Sequence, residues 1–355
     1  MSRIASLKLC FSYYYYQVFY NSIVITQINL VNFRSYKKQI FEFGNETVIV
    51  GDNGAGKTNI LEAIYMTATG KSFRADKDSE LISYGGQFAS IRCDVSDVQL
   101  RIFIDDKKRF EVNGVTRRMM DFVGNLKAVK FGPEDIEIIT GSTSGRRKYL
   151  DMVISQKDRE YRRCAVSYEK GLRQRNKLLD LIRDGVANRS QLFFWDKLLI
   201  KDGSYLTEKR EEYLSGFNLQ SSIFNTQYDK SVISEVRLLQ YEKEEVAAGN
   251  TLVGPHRDDF VVNMGDKDIS KYGSRGQQRM AVLALKMWEL QFLTSFQLPV
   301  LLLDDVYSEL DHLHRTDVLK LANGHAQKGG QVIMTTSDEN LIPVKWNIIK
   351  IGKHD

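Results

Sequence analysis

Eight consecutive residues constrain this chain more than any others: Gly51-Asp52-Asn53-Gly54-Ala55-Gly56-Lys57-Thr58. They match the pattern of a glycine, four residues of any kind, then Gly-Lys-Ser/Thr. A β-branched run, Thr47 to Val50, leads into them, and Ile60, Leu61, Ile64 and Tyr65 follow at helical spacing. The reading is a buried strand, a tight loop and a helix. Gly51, Gly54 and Gly56 let the backbone turn sharply and approach a ligand with no Cβ in the way. The loop N–H groups, with those of Asp52, Asn53 and Ala55 among them, and the helix N-terminus present positive partial charge to a β-phosphate. Lys57 adds a formal charge near the β- and γ-phosphates, and the Thr58 hydroxyl is placed to ligate Mg²⁺. A glycine-rich turn without a ligand would not require this strand, lysine and helix around it.

A second run, Val300-Leu301-Leu302-Leu303, ends in Asp304 and Asp305. Apolar runs without alternation suit strands buried on both faces of a parallel sheet, and Gln331 to Met334 is another. Alone, such a run ending in carboxylates is also a strand terminus with a capping Asp. Behind a phosphate loop, Asp304 is expected to hold Mg²⁺ and Asp305 to polarise an attacking water as general base. Upstream, Ser274 and Gly276 in Gly273-Ser274-Arg275-Gly276-Gln277-Gln278 open a segment with Ala281, Ala284, Leu285 and Trp288 at helical spacing. A helix N-terminus with a serine hydroxyl and Gln277 in its first turn can receive a γ-phosphate. The plain alternative is a serine-capped helix and nothing more.

The remaining chain of 355 residues supplies the frame. Its length favours two domains, or one with a large insertion. With 43% hydrophobic and 27% charged residues, it has the composition of an ordinary globular protein. A net charge of +5 permits a polyanionic partner without requiring one. The three cysteines show no metal-ligand spacing and read as free thiols of a reducing cytoplasm. No apolar run of about eighteen residues exists, so no membrane-spanning helix is expected. Residues 1–22, with four consecutive tyrosines from Tyr13, read as a disordered extension or a start placed too early rather than a signal peptide. Alternation near Ile23–Asn29 and Ile40–Phe43 predicts strands. Ile102 and Ile104 with the Asn113-Gly114 turn predict hairpins in the same antiparallel sheet. From about Lys148 to Leu214 the pattern is helical. Tyr161, Ala165, Tyr168, Leu172, Leu179 and Ile182 form a stripe that Arg175 interrupts, and two helices are expected to pack antiparallel as a short arm.

These motifs, in this order, resemble the ABC ATPases. There the Ser274 segment is the signature motif, and Ser308-Glu309-Leu310-Asp311 is similar to the D-loop. Further stretches resemble the RecF family in particular: Ile28 to Tyr36, Gly70-Lys71-Ser72-Phe73-Arg74, Phe131 to Asp135, Gly141 to Asp151 with Arg146 and Arg147, and Gly254-Pro255-His256-Arg257-Asp258. The resemblance runs from about Ile23 to the C-terminus. It implies an α/β fold with an ABC-type ATPase head (a mixed P-loop sheet plus an antiparallel β subdomain) and an inserted helical lobe. The head is expected over 23–125 and 250–355, and the lobe over 126–249. It also implies ATP and Mg²⁺ as cofactors, with Asp305, Lys57 and Ser274 catalytic. Two ATP molecules would be sandwiched between P-loop and signature motif of a homodimer. The implied function is slow, DNA-stimulated hydrolysis and binding of single-stranded and gapped DNA without sequence specificity, in the cytoplasm. The implied partners are recombination mediators such as RecR, in support of RecA loading. Against a transporter-type nucleotide-binding subunit, the alternative, stand Thr335-Thr336 where transporters carry a switch histidine, and the basic helical insertion. The usual Q-loop glutamine is also missing; Pro133-Glu134 occupies that place.

Candidate DNA contacts are Lys71, Arg74, Arg146, Arg147 and the arginines around Arg162, on the ground that phosphate contacts need exposed positive charge. Arg146 and Arg147 have an equal structural reading, paired with Asp151. His256 and Arg257 read either as satisfied polar groups or as nucleotide-linked or interface residues.

Overall fold

The computed structural model describes residues 24–295, 297–306, 312–339 and 345–352. The tyrosine-rich extension and the Ser308–Asp311 segment therefore lie outside the described residues. The chain divides into two compact units. One contains residues 136–151 and 163–288; the other contains the described parts of 20–135, 152–162 and 289–355.

The second unit holds two sheets. Six antiparallel strands are ordered β2-β1-β4-β5-β6-β7: β1 (Ile25–Phe33), β2 (Tyr36–Glu42), β4 (Ala89–Val95), β5 (Val98–Ile104), β6 (Lys108–Val112) and β7 (Val115–Arg117). The Asn113-Gly114 turn joins β6 to β7 with both residues at positive φ, 50° and 74°, as a two-residue hairpin of this twist demands. Five strands are ordered β14-β3-β13-β12-β8: β3 (Glu46–Val50), β8 (Ala128–Phe131), β12 (Val300–Leu303), β13 (Val332–Thr336) and β14 (Asn347–Lys350). All of their pairings are parallel. Every residue of β8, β12 and β13 is buried, which is why their sequences run apolar without alternation. The helix Lys57–Thr69 touches β4 and β5 of one sheet and β8 and β13 of the other. It is buried nearly all round, so it carries apolar residues on every face. Ile60, Leu61, Ile64 and Met66 join Ile28, Ile91, Ile102, Val300 and Ile333 in one core.

The other unit is mainly helical. Arg163–Asp202 (3.0 Å) and Arg175–Asp196 (2.7 Å) tie the helix Arg159–Arg183 to the helix Phe193–Gln220. As one index rises the other falls, so the two run antiparallel, as the stripe predicts. Arg175 interrupts that stripe because it is a buried ion: it bonds Asp196, Glu245 at 2.7 Å and Thr251 Oγ1 at 2.8 Å. The unit also contains a sheet ordered β11-β10-β9, namely β9 (Phe224–Asp229), β10 (Asp259–Met264) and β11 (Lys267–Asp268). β10 lies beyond residue 250, where the sequence reading returns the chain to the head. Its register with β9, Phe260 opposite Tyr228, joins it to the helical unit instead. Likewise β8 lies inside the expected lobe, yet pairs with β12 in the sheet of the head.

Candidate functional site

Parallel strands deliver their C-terminal ends to one edge of a sheet, and that edge is where such folds place a ligand. Here β3 ends at Val50 and runs into the glycine loop, β12 into Asp304, and β8 into Gly132. β13, which ends in Thr335 and Thr336, lies between β3 and β12.

The glycine loop is shaped by close backbone contacts. A Cβ on Gly51 would lie 2.5 Å from the Ile351 carbonyl oxygen. One on Gly56, whose φ is 98°, would lie 2.7 Å from Tyr36 Oη and 2.9 Å from Ser35 Oγ. The β1–β2 hairpin therefore clamps the loop from outside, and only glycine fits. Asn59 Nδ2 donates to Ser35 Oγ at 3.0 Å, strengthening the same clamp. Lys57 is buried, and its ammonium donates to the carbonyls of Gly51 (2.6 Å) and Asp52 (3.0 Å). Glu62, fully buried on the helix, is held by Arg34 at 2.7 and 2.9 Å and by Ser72 Oγ at 2.5 Å. That network braces the Gly70–Arg74 segment against the helix.

Asp304 is the electrostatic focus. It is 3% exposed, and burial raises its carboxyl pKa above the ordinary range. The Glu134 charge pushes the same way, while Thr335, Lys130 and Thr58 oppose. Its Oδ1 accepts from Thr335 Oγ1 at 2.8 Å and from Thr58 Oγ1 at 3.0 Å. The threonine hydroxyl and the carboxylate are thus brought together across 246 residues. A hard cation that keeps several waters and nucleotide oxygens needs only such a pair of oxygen ligands, so the donor set fits Mg²⁺. Asp305 has φ 43°, a left-handed conformation that Asp tolerates, and its N–H donates to Thr335 Oγ1 at 2.9 Å. Thr335 therefore orients both acids, a role that its place in the sequence, where transporters carry a switch histidine, does not reveal.

Ser274 and Gly276, in the helical unit, stand exposed at the start of the helix Arg275–Leu293. Ser274 Oγ accepts from the Gln277 N–H at 3.3 Å, and Gln277 Oε1 accepts from the Ser274 N–H at 2.8 Å. This is a reciprocal capping box. A Cβ on Gly276 would meet nothing nearer than Ser274 Oγ at 3.9 Å, so the glycine is not demanded by packing within the chain.

Some candidate DNA contacts are corrected. Arg162 is buried and donates to the carbonyls of Met120 and Ser155, so it does not lie on an exposed face. Arg146 is bidentate to Asp259 (2.6 and 2.8 Å) and also bonds the Gly141 carbonyl, while Arg147 donates to the Asp258 carbonyl. Both take the structural reading. Asp151 pairs with Arg210 at 2.8 Å, and its charge also acts on Arg147. Lys71 and Arg74 are exposed. His256 Nδ1 meets Tyr168 Oη at 2.8 Å and its Nε2 meets the Thr251 carbonyl at 3.0 Å; Arg257 Nη2 donates to the same carbonyl at 3.2 Å. The histidine is a satisfied polar group. Among the described residues no helix is long and apolar enough to cross a membrane.

Comparison with known proteins agrees with this geometry. The family model of the RecF/RecN/SMC N terminal domain matches residues 24–355. The DNA replication and repair protein RecF of Moorella thermoacetica is 35% identical over 91% of this chain and 92% of its own. That of Lachnospira eligens is 34% identical over 93% and 97%. Among solved structures, the recombination mediator protein RecF with ATP superposes with a TM-score of 0.86 at 32% identity, covering 94% of this chain and 96% of that one. A second RecF structure, with ATPγS, gives a TM-score of 0.83 at 31% identity, covering 95% and 100%. Strand order, phosphate loop, acidic strand end and full-length relatives converge: the chain belongs to the RecF family, with its ABC-type α/β ATPase head.

Proposed function

We propose that the protein is an ATP-dependent DNA-binding protein of recombinational repair and replication-fork maintenance. In this reading ATP bound by Gly51–Thr58 of one subunit is received by Ser274, Gly276 and Gln277 of a second. The dimer forms on gapped or junction DNA, and slow hydrolysis releases it. The observation that carries the proposal is the pairing of Thr58 and Asp304 at the parallel strand ends, beside the glycine loop. The relatives known as DNA replication and repair proteins, and the RecF structures holding ATP, support it. Mediators such as RecR as partners, RecA loading and a cytoplasmic location belong to the same proposal.

Each residue has a physical part. The loop N–H groups and Lys57 bind the phosphates, Lys57 exchanging its present carbonyl acceptors for phosphate oxygens. Bound Mg²⁺, held by Thr58 and Asp304, would neutralise phosphate charge. Asp305, turned by its left-handed backbone and fixed through Thr335, would accept a proton from the attacking water. The capped helix Arg275–Leu293 would offer its free N–H groups and positive dipole end to a γ-phosphate. A ligand that contacts both subunits only in the dimer draws the population toward the dimer.

The test is particle mass measured with ADP, ATP and a non-hydrolysable analogue, with and without gapped DNA. ATP should raise the mass to that of a dimer. Ser274→Arg should still bind ATP and stay monomeric; a dimer persisting in that variant refutes the sandwich. Lys57→Ala should lose nucleotide binding itself.

A further inference from the structure

Strand β8 reads Ala-Val-Lys-Phe, and its lysine is as buried as its apolar neighbours: Lys130 is 3% exposed. Its ammonium lies 2.9 Å from Glu134 Oε2, 3.5 Å from Asp135 Oδ2 and 4.3 Å above the centre of the Phe73 ring. The Asp135 carboxylate also accepts the Gly132 N–H at 2.8 Å, which folds the turn after β8 back on itself. A Cβ placed on Gly132 would lie 3.1 Å from Asp304 Cβ, 3.2 Å from Glu134 Oε2 and 3.3 Å from Lys130 Nζ. Lysine, glutamate and the metal-holding aspartate therefore crowd around one backbone point. Gly132, the residue that follows β8, leaves the room they need.

A buried ammonium costs several kcal/mol of desolvation unless it is paired, and an apolar residue of similar size commonly serves packing as well. Packing alone thus gives no reason for a charge here, whereas three carboxylates converging on it do. We propose that Lys130 is a positioning residue of the nucleotide site: its ammonium holds the Glu134 carboxylate beside Asp304 and offsets part of the negative charge met there by a magnesium–nucleotide complex. This rests on the reading of Thr58 and Asp304 as the metal-holding pair. Glu134 thereby takes a fixed place where the related ATPases carry their Q-loop glutamine, and Lys130 is what fixes it.

The consequence is a charge effect of opposite sign on the two components of the ligand. Without Lys130 the pocket is one unit more negative. Free ATP, a polyanion, should bind more weakly, and the magnesium complex should depend more strongly on the metal. The experiment measures the affinity of the full-length protein for a fluorescent N-methylanthraniloyl ATP, with Mg²⁺ and with a chelator, alongside the melting temperature. Lys130→Met should raise the ratio of the two affinities by about tenfold, the size of effect that removing one nearby unit charge produces. Lys130→Arg should leave the ratio within about twofold of wild type, because the charge is kept. Glu134→Gln should lower it. A brace that merely packed β8 would move the melting temperature and leave the ratio alone. If Lys130→Met binds with the wild-type ratio, the proposal is overturned. Should that variant fail to fold, Glu134→Gln decides, since its carboxylate is half exposed; an unchanged ratio there overturns the proposal equally. A wild-type protein indifferent to Mg²⁺, or an Asp304→Asn variant as Mg²⁺-dependent as wild type, would instead defeat the reading of Thr58 and Asp304 on which this rests.

Discussion

At the scale of single residues, His256 shows how a motif residue can serve the fold. The Thr251 carbonyl can only accept, so Nε2 carries the proton, and Nδ1 accepts from the Tyr168 hydroxyl. Protonating the ring would place a second proton against that donor. Burial, aided by the charges of Arg257 and Arg147, lowers the ring pKa to about 4 against the Thr251 bond. The sign follows from linkage. The unfolded histidine titrates near 6.5, so between that pH and about 4 the unfolded chain takes up a proton that the folded chain refuses. Stability should be flat in this respect above pH 6.5 and fall as pH drops through the window. At most about 3 kcal/mol is at stake. His256→Gln, which still donates to Thr251, should remove that slope. Denaturant midpoints taken every half unit across the window would show it; parallel slopes in wild type and variant would mean that the ring is not the titrating group.

At the scale of elements, the helix pair Arg159–Arg183 and Phe193–Gln220 is joined through a buried ion, and that predicts an asymmetric response. Arg175→Met strands Glu245, which is 1% exposed, although the Leu252 N–H still reaches it at 2.8 Å. Removing one partner of a buried pair costs about 3–5 kcal/mol. Arg175→Met with Glu245→Met should recover most of that loss, since replacing both ions with apolar groups is often neutral. Trp195 and Trp288, which lie in this unit, report its unfolding by fluorescence. If the double variant is no more stable than the single one, the pair is not the source of the cost. The same elements show what a sequence can disclose. Alternation at 102–104 and the Asn113-Gly114 turn announced an antiparallel sheet, and the apolar run 300–303 a parallel one, because burial on one face or two writes itself into the local pattern. The phosphate loop was legible because its glycines, lysine and threonine are contiguous in sequence, although the contacts that exclude a Cβ at Gly51 and Gly56 come from Ile351, Ser35 and Tyr36. β8 and β9–β10 were not, because their pairing partners lie 172 residues and about 30 residues away and leave no local period. Lys130 disguised β8 further by putting a charge in a buried strand.

At the scale of the whole molecule, the two halves of the proposed ATP receptor, Gly51–Thr58 and Ser274–Gln277, sit in different compact units of one chain. Ligand linkage turns this arrangement into a measurement. ATP bound to a monomer would stabilise it by about 2.7 kcal/mol at a hundred times its dissociation constant, whatever the protein concentration. ATP shared between two chains stabilises a dimer, so mass action makes the melting temperature climb with protein concentration. The expected outcome is a melting temperature with Mg²⁺ and ATP that rises across about a hundredfold range of protein concentration, while that with ADP stays level. Asp305→Asn, which should bind and dimerise but hydrolyse poorly, should show the climb without its decay over time, since the γ-phosphate proposed to join the chains is not consumed. A shift with ATP that is the same at every protein concentration, in wild type and in Asp305→Asn, would mean that each chain holds its nucleotide alone, and the exposed Gly276 would then need another explanation.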